Sequence, residues 1–212
     1  FPRRWDWQTL QKRCAGNSYN TGPHPICIAL GLMDFDPNIR VVFSKLDRVL
    51  NFGDSDDFCK ILLDAPGKPF ADIEIHSNDP YNPCHLKLLG SLGTLQSTIF
   101  DYKMTYIVPG ENPDQALVEG ALQNAEGMPI YCSEKLIKHE EAGTFSGDYS
   151  DIGAAALYEE LYFAITEGKP MSVTAEMGAQ VIEVIETAHK QNVPIISALG
   201  AGNKQDPTLF RI

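Results

Sequence analysis

The sequence predicts an α+β fold with an open, mainly antiparallel sheet and helices packed on one of its faces. Between residues 40 and 107, short apolar or alternating segments follow one another through short turns, which is typical of antiparallel pairing. Apolar residues at helical spacing precede this stretch at 23–33 and follow it at 150–190. The later helices are amphipathic, so we expect them to cover one face of the sheet.

The first helix is predicted over residues 23–33. Gly22 suits the N-cap and Pro23 suits the first helical position, because its missing N–H has no partner there in any helix. The apolar run that follows is expected to end between Gly31 and Asp34.

Six strands are predicted from alternation and β-branched content. Residues 70–77 alternate apolar and polar side chains, which indicates one buried face and one wet face. Residues 100–107 have one aromatic and one polar face, and an uncovered polar face would be a candidate subunit interface. The predicted strands are 40–50, 58–63, 70–77, 86–89, 95–99 and 100–107, and residues 108–150 are predicted as loop.

The turn at residues 51–57 carries three aspartates, Asp54, Asp56 and Asp57. A calcium loop would need a glycine and a distal glutamate at spacings that are absent here. The sequence therefore predicts a solvated turn, and no metal site.

Two amphipathic helices are predicted towards the end of the chain. Ser150 or Asp151 would cap the first, which Gly168 would end, and Thr174 would cap the second. Residues 191–212 form a different kind of segment, predicted as a strand followed by a glycine-rich turn.

Composition excludes several classes of function. A net charge of −11 disfavours a nucleic-acid partner, which needs clustered lysine and arginine. The chain has no apolar run of 18 residues and no signal-peptide pattern. Its five cysteines include no C-x-x-C pair, which predicts free thiols and a cytoplasmic location. The first residue is not Met, so a processed product or a fragment is expected.

His24 is the histidine whose setting best suits chemistry. In the first turn of a helix, unpaired N–H groups and the positive helix end would disfavour a protonated ring, so His24 could accept a proton near pH 7. Asn20, four residues earlier, could bond a substrate hydroxyl. The alternative is a histidine that only caps the helix or packs at the surface.

Two further candidates have weaker patterns. Trp5 and Trp7 alternate with polar residues and could form the aromatic wall of a sugar or polyol pocket, although core or interface packing is the more common role. Cys14 could act as a nucleophile with a histidine base, but a cysteine is more often a small buried hydrophobic residue.

Several segments together resemble one known family. They are Trp5-Asp6-Trp7-Gln8-Thr9, Gly16, Tyr19-Asn20-Thr21-Gly22-Pro23-His24-Pro25, Phe52-Gly53-Asp54-Ser55-Asp56-Asp57, Gly90-Ser91-Leu92-Gly93-Thr94-Leu95, and Tyr158 to Ile165 followed by Glu167-Gly168-Lys169-Pro170. In combination they are similar to the C-terminal domain of the Gfo/Idh/MocA oxidoreductase family. The likeness covers about residues 3–190, and residues 1–190 are taken as the domain.

The resemblance implies an enzyme that uses NAD or NADP to oxidise a sugar, polyol or glycoside. In this family the C-terminal domain contacts substrate and forms much of the oligomer interface, so a homo-oligomer through the sheet face is implied. Asn20 and His24 match a family aspartate and histidine, with His24 removing the hydroxyl proton. Trp5, Trp7 and Tyr19 are then the expected substrate contacts.

The chain departs from the family pattern in three places. Asn20 replaces the aspartate, and an amide cannot carry charge. The G-x-G-x-x-G fingerprint of a Rossmann domain and the family's Glu-Lys-Pro segment are both absent, which leaves the cofactor-binding residues unknown. The expectation is a substrate domain without its Rossmann domain, inactive alone and binding no cofactor by itself.

Two alternatives remain open. The first is a non-catalytic oligomerisation or ligand-binding module of the same fold. The second, more remote, is a fragment of an adenylating enzyme, because residues 194–210 are similar to a segment of tRNA threonylcarbamoyladenosine dehydratases. That family's nucleotide-binding loop is missing from this chain.

Overall fold

The computed structural model describes residues 4–77, 79–81, 84–145 and 149–191. These residues divide into one unit of 4–80 with 160–191 and a second unit of 81–159. The predicted strand and turn of the tail lie outside the described residues. The elements are α1 Asn17–Asn20, α2 Pro23–Leu32, β1 Arg40–Asp47, β2 Phe58–Asp64, β3 Ala71–His76, β4 Leu86–Leu89, β5 Gly93–Ser97, β6 Asp101–Tyr106, β7 His139–Thr144, α3 Tyr149–Glu167 and α4 Ala175–Gln191.

The predicted α+β class with open antiparallel pairing is confirmed, and the described strands divide between two sheets. The first unit contains β1-β2-β3, all antiparallel. In β2 every second side chain is buried, and Ile61 pairs with Ile73 of β3. This period of two places one face of the sheet in the core.

Helices α2 and α4 cover that face of the first sheet. Helix α4 packs on β1 and on α2, and α2 also packs on β3. The buried side chains of α4 are Val181, Val184, Ile185 and Ala188, the spacing of one helical stripe. Each large apolar side chain buried here contributes about 1.5–3 kcal/mol.

The predicted starts of α2 and α4 are confirmed, whereas α3 begins at Tyr149, so Ser150 and Asp151 lie within its first turn rather than at its N-cap. Pro23 occupies the first turn of α2 with Gly22 at the N-cap. The Thr174 hydroxyl accepts the Met177 N–H at 3.3 Å, which caps α4.

The second unit contains the four-stranded sheet β4-β5-β6-β7, also antiparallel. Strand β5 begins two residues earlier than predicted, at Gly93, where a Cβ would lie 2.6 Å from the Thr105 carbonyl oxygen. Strand β7 falls within the predicted loop 108–150. Its sequence, HEEAGT, lacks apolar alternation, so pairing with β6 rather than local preference makes it a strand.

Helix α3 differs from its prediction in packing. The helix forms at the predicted place, but its expected buried stripe is exposed, with Leu157, Tyr158, Leu161, Tyr162 and Ile165 all accessible. Amphipathic spacing alone therefore identified the helix but not what covers its apolar side.

Candidate functional site

Asn20 and His24 lie on two successive helical segments. Asn20 is the last residue of α1 and His24 is the second residue of α2, and both side chains are exposed. Thr21 and Gly22 form the corner between them. A Cβ on Gly22 would lie 2.1 Å from the Ser18 carbonyl oxygen, so only glycine permits this tight approach.

The backbone at this corner is largely hydrogen-bonded. The His24 N–H donates to the Thr21 carbonyl at 3.2 Å, and the N–H groups of Thr21 and Gly22 donate to the Asn17 carbonyl at 3.0 and 2.8 Å. The expected unpaired N–H is therefore not found at His24, because the chain enters α2 directly from α1.

Tyr19 is held by α4. Its hydroxyl donates to Glu186 Oε1 at 2.5 Å, and its ring stacks on His189 with centroids 5.1 Å apart. Burial, followed by the neighbouring Glu186 carboxylate, raises the pKa of Tyr19 well above its ordinary value. The hydroxyl is thus neutral at physiological pH and already paired within the protein.

Ser18 lies between a buried carboxylate and a histidine. Its hydroxyl donates to Asp56 Oδ1 at 2.9 Å and lies 2.9 Å from His189 Nε2, and its N–H donates to Asp56 Oδ2 at 2.8 Å. His189 Nε2 is 3.9 Å from Asp56 Oδ1. Burial raises the pKa of Asp56, while the two bonds from Ser18 and the nearby His189 oppose that shift.

Two of the three aspartates in the turn are buried, which corrects the prediction of a solvated turn. Asp56 is 5% exposed and Asp57 is 2% exposed. Asp57 accepts the N–H groups of Val49, Leu50 and Asn51 at 2.6, 2.6 and 2.8 Å. The two carboxylates serve as anchors for backbone donors, a role with no local sequence signal beyond the acidic residues themselves.

Gly16 places the carboxylate of Asp56 against the start of α1. Its φ of 122° lies in the region that favours glycine, and a Cβ there would lie 2.3 Å from Asp56 Oδ1. The Asn17 N–H donates to the Asp56 carbonyl at 2.9 Å, and the Asn17 side chain donates to the Asp57 carbonyl at 3.0 Å. Residues 16–18 are therefore fixed to the acidic turn.

The two tryptophans are surface residues. Trp5 is 80% exposed and Trp7 is 60% exposed, and Trp7 begins the short 3-10 turn Trp7–Thr9. The Arg4 carbonyl accepts the Phe52 N–H, which fixes the start of this segment to the first unit. Among the described residues, no hydrogen bond or ring contact joins either tryptophan to Asn20 or His24.

The Ser18, His189 and Asp56 arrangement does not support nucleophilic catalysis. Ser18 is 0% exposed, and its proton is directed to the carboxylate rather than to the histidine. Cys14 is an exposed free thiol with a left-handed φ of 51°, and no histidine base pairs with it in the contacts that the structure gives. Within the described ranges, no cluster of three or more histidine, cysteine or acidic side chains is arranged to hold a metal ion.

The described strands also offer no dinucleotide site. Such a site needs a parallel βαβ unit with a helix beginning at the carboxyl end of a strand. Both described sheets are wholly antiparallel, so the described residues contain no Rossmann-type dinucleotide site. No helix of the described part has the length and apolar character to cross a bilayer.

Two cavities of the described part have no predicted site residue in their lining. One of about 530 Å³ is lined in the second unit by residues from β5, β6 and β7, including Asp101, Lys103 and Thr144. The other, of about 380 Å³, is lined in the first unit by Phe58, Glu74, His76 and Asp79.

No family model matches the sequence, and no curated protein matches it. Solved structures do share the fold. An NAD-binding protein from Listeria innocua aligns with a TM-score of 0.61 and 18% identity over 89% of this chain and 53% of its own. An oxidoreductase from Bacillus cereus aligns with a TM-score of 0.53 and 18% identity over 87% of this chain and 61% of its own. GenD2 from gentamicin A biosynthesis, solved in complex with NAD, aligns with a TM-score of 0.51 and 14% identity over 89% of this chain and 49% of its own. The chain is thus similar in fold to about half the length of these proteins.

Proposed function

We propose that this chain is the substrate-binding domain of an NAD(P)-dependent oxidoreductase of the Gfo/Idh/MocA type, acting on a sugar, polyol or glycoside. The observation that carries the proposal is the likeness in fold to solved structures, among them an oxidoreductase and a protein in complex with NAD. The likeness covers about nine-tenths of this chain but only about half of each of those proteins. It agrees with the sequence motifs around Asn20 and His24.

The exposed corner at Asn20 and His24 supports the site proposal. An imidazole at the surface of a fixed helix start can accept the proton of a bound hydroxyl. The Asn20 amide can orient the same substrate by donating or accepting a hydrogen bond, without carrying charge. Trp5 and Trp7 present exposed ring faces on which a sugar could stack.

The described residues lack a dinucleotide site, so the proposal places the cofactor on a separate Rossmann domain. The test compares the 212-residue chain with the same chain joined to such a domain, using NAD⁺ and NADP⁺ with a panel of sugars and polyols. We expect reduction of the cofactor only in the joined protein. Cofactor reduction by the isolated chain would refute the assignment of substrate binding to this chain and of cofactor binding to a separate domain.

A substitution tests the role of His24 in the joined protein. His24→Ala should lower kcat by about a hundredfold or more if the imidazole accepts the proton. The matched control is His85→Ala, which removes another exposed histidine. An unchanged kcat in His24→Ala would leave His24 as a surface residue.

The alternative function is a non-catalytic oligomerisation module. It is favoured by the polar face of the second sheet, where Lys103 and Thr105 are exposed beside an exposed apolar Leu89. Sedimentation equilibrium of the wild type and of Leu89→Glu would test it. A dimer that dissociates in Leu89→Glu is the expected result, and a monomeric wild type would rule it out.

A further inference from the structure

Two residues of α4 bind the segment that leads into the candidate site. Glu186 and His189 are three positions apart and so lie on one side of the helix. The Glu186 carboxylate accepts a hydrogen bond from the Tyr19 hydroxyl. The His189 ring stacks on Tyr19, and its Nε2 lies 2.9 Å from the Ser18 hydroxyl oxygen. Sequence reasoning identified neither residue, because they are more than 160 positions from the segment they hold.

The direction of these hydrogen bonds follows from a count of protons. The Ser18 hydroxyl has a single proton, which it donates to Asp56 Oδ1. It therefore accepts at its oxygen, and His189 Nε2 must carry the proton of the second bond. The chain of donors runs from His189 through Ser18 to Asp56, and a carboxylate ends it.

Helix α4 is itself well anchored. The Ser44 hydroxyl of β1 donates to the Ala188 carbonyl at 2.8 Å, immediately before His189. Ala188 and Ile185 are fully buried against the first sheet. The side chains at 186 and 189 therefore project from a fixed support.

Residues 18 and 19 directly precede Asn20, and the same short helix leads to His24. The Asn20 N–H donates to the Gly16 carbonyl at 2.9 Å, and the close approach of Gly22 to the Ser18 carbonyl joins the corner to Ser18. A shift of Ser18 or Tyr19 would therefore move the exposed pair at the corner.

We propose that Glu186 and His189 are positioning residues that set the orientation of Asn20 and His24 towards a hydroxylated substrate. This inference rests on the proposed function. The two α4 side chains contact no substrate themselves and act through Tyr19 and Ser18.

The first test measures hydrogen exchange at the amides of Asn20, Thr21 and Gly22 in the 212-residue chain. His189→Leu, which cannot donate, should accelerate exchange about tenfold, the effect of losing one hydrogen bond and its network. His189→Gln keeps a donor and should restore exchange to near the wild-type rate. Tyr19→Phe provides a second variant, because it removes the bond to Glu186 with the core of α4 intact.

The controls are exposed residues of the same helix. Lys190→Leu matches His189→Leu, and Glu183→Gln removes an exposed charge from the same helix. Neither control should alter exchange at the corner. Wild-type exchange in both His189→Leu and Tyr19→Phe overturns the positioning proposal, whatever the enzyme assay shows.

The second test uses the chain joined to its cofactor domain. His189→Leu should lower kcat about tenfold with a smaller change in KM, and it should have no further effect in a His24→Ala background. Additive losses would overturn the positioning role. Absence of turnover in the wild-type joined protein would instead refute the proposed function and, with it, the role of Glu186 and His189 towards a substrate. The exchange experiment would still show whether α4 holds the corner at Asn20 and His24 in place.

Discussion

Asp57 provides the sharpest test of how the acidic turn stabilises the fold. It is 2% exposed and accepts three backbone N–H groups at 2.6–2.8 Å. A hydrogen bond to a charged group contributes about 1.5–3 kcal/mol, but the three donors are only partly buried and water would replace some of the loss. We therefore expect Asp57→Ala to lower the free energy of unfolding by about 3–5 kcal/mol.

The size of the effect should depend on the acceptor. Asp57→Asn keeps one carbonyl oxygen, while its NH₂ group faces at least one N–H donor, so we expect a loss of about 2 kcal/mol. Asp54→Ala is the matched control, because Asp54 is exposed and, within the described part of the chain, its carboxylate accepts a hydrogen bond only from the Gln11 N–H, at 2.8 Å. It should cost less than about 1 kcal/mol.

The assay is urea unfolding followed by far-UV circular dichroism. Circular dichroism follows α2 and α4, which pack on the same sheet, whereas the tryptophans are exposed and report little on the core. Equal losses in Asp57→Ala and Asp54→Ala would show that the three backbone bonds contribute little to stability.

Three further predictions use the same unfolding assay. Gly16→Ala should cost about 2–4 kcal/mol because its Cβ would meet Asp56, whereas Gly67→Ala, with open space around it, should cost about 1–2 kcal/mol; equal costs would contradict this. Burial raises the pKa of Asp56 above 3.8, so the stability that Asp56 contributes is complete below pH 3.8 and is lost as the pH rises through the raised pKa. The wild type should therefore lose stability relative to Asp56→Asn as the pH rises from 3.8 through the raised pKa. A difference independent of pH would refute that sign. Leu63→Ala should cost about 2–5 kcal/mol, against less than about 1 for the exposed Leu89→Ala.

Much of the secondary structure was predictable because its signals are local. The start of α2 follows from Gly22 and Pro23, and the Thr174 cap precedes α4 as expected. Strand β7 had no such signal, because its edge position depends on β6. The stripe of α3 shows the limit of periodicity, which identifies an apolar side without naming its partner.

Some features of the candidate site were likewise predictable from local sequence, and others were not. Asn20 and His24 were identified by their spacing around a glycine and a proline, and the structure places them at one exposed corner. Tyr19 was expected to contact substrate, and the structure instead shows its hydroxyl paired with Glu186, so its substrate role stays a prediction. Asp56 looked solvated because acidic residues in a turn usually are.

The sequence by itself determined the α+β class, most element positions and the segment that carries the candidate chemistry. These depend on periodicity, caps and turn residues, which act over a few positions along the chain. Only the tertiary structure decided that Asp56 and Asp57 are buried anchors and that Glu186 and His189 hold Tyr19 and Ser18. Such contacts join residues far apart in the chain, and a buried carboxylate is favourable only where folding brings enough donors to it.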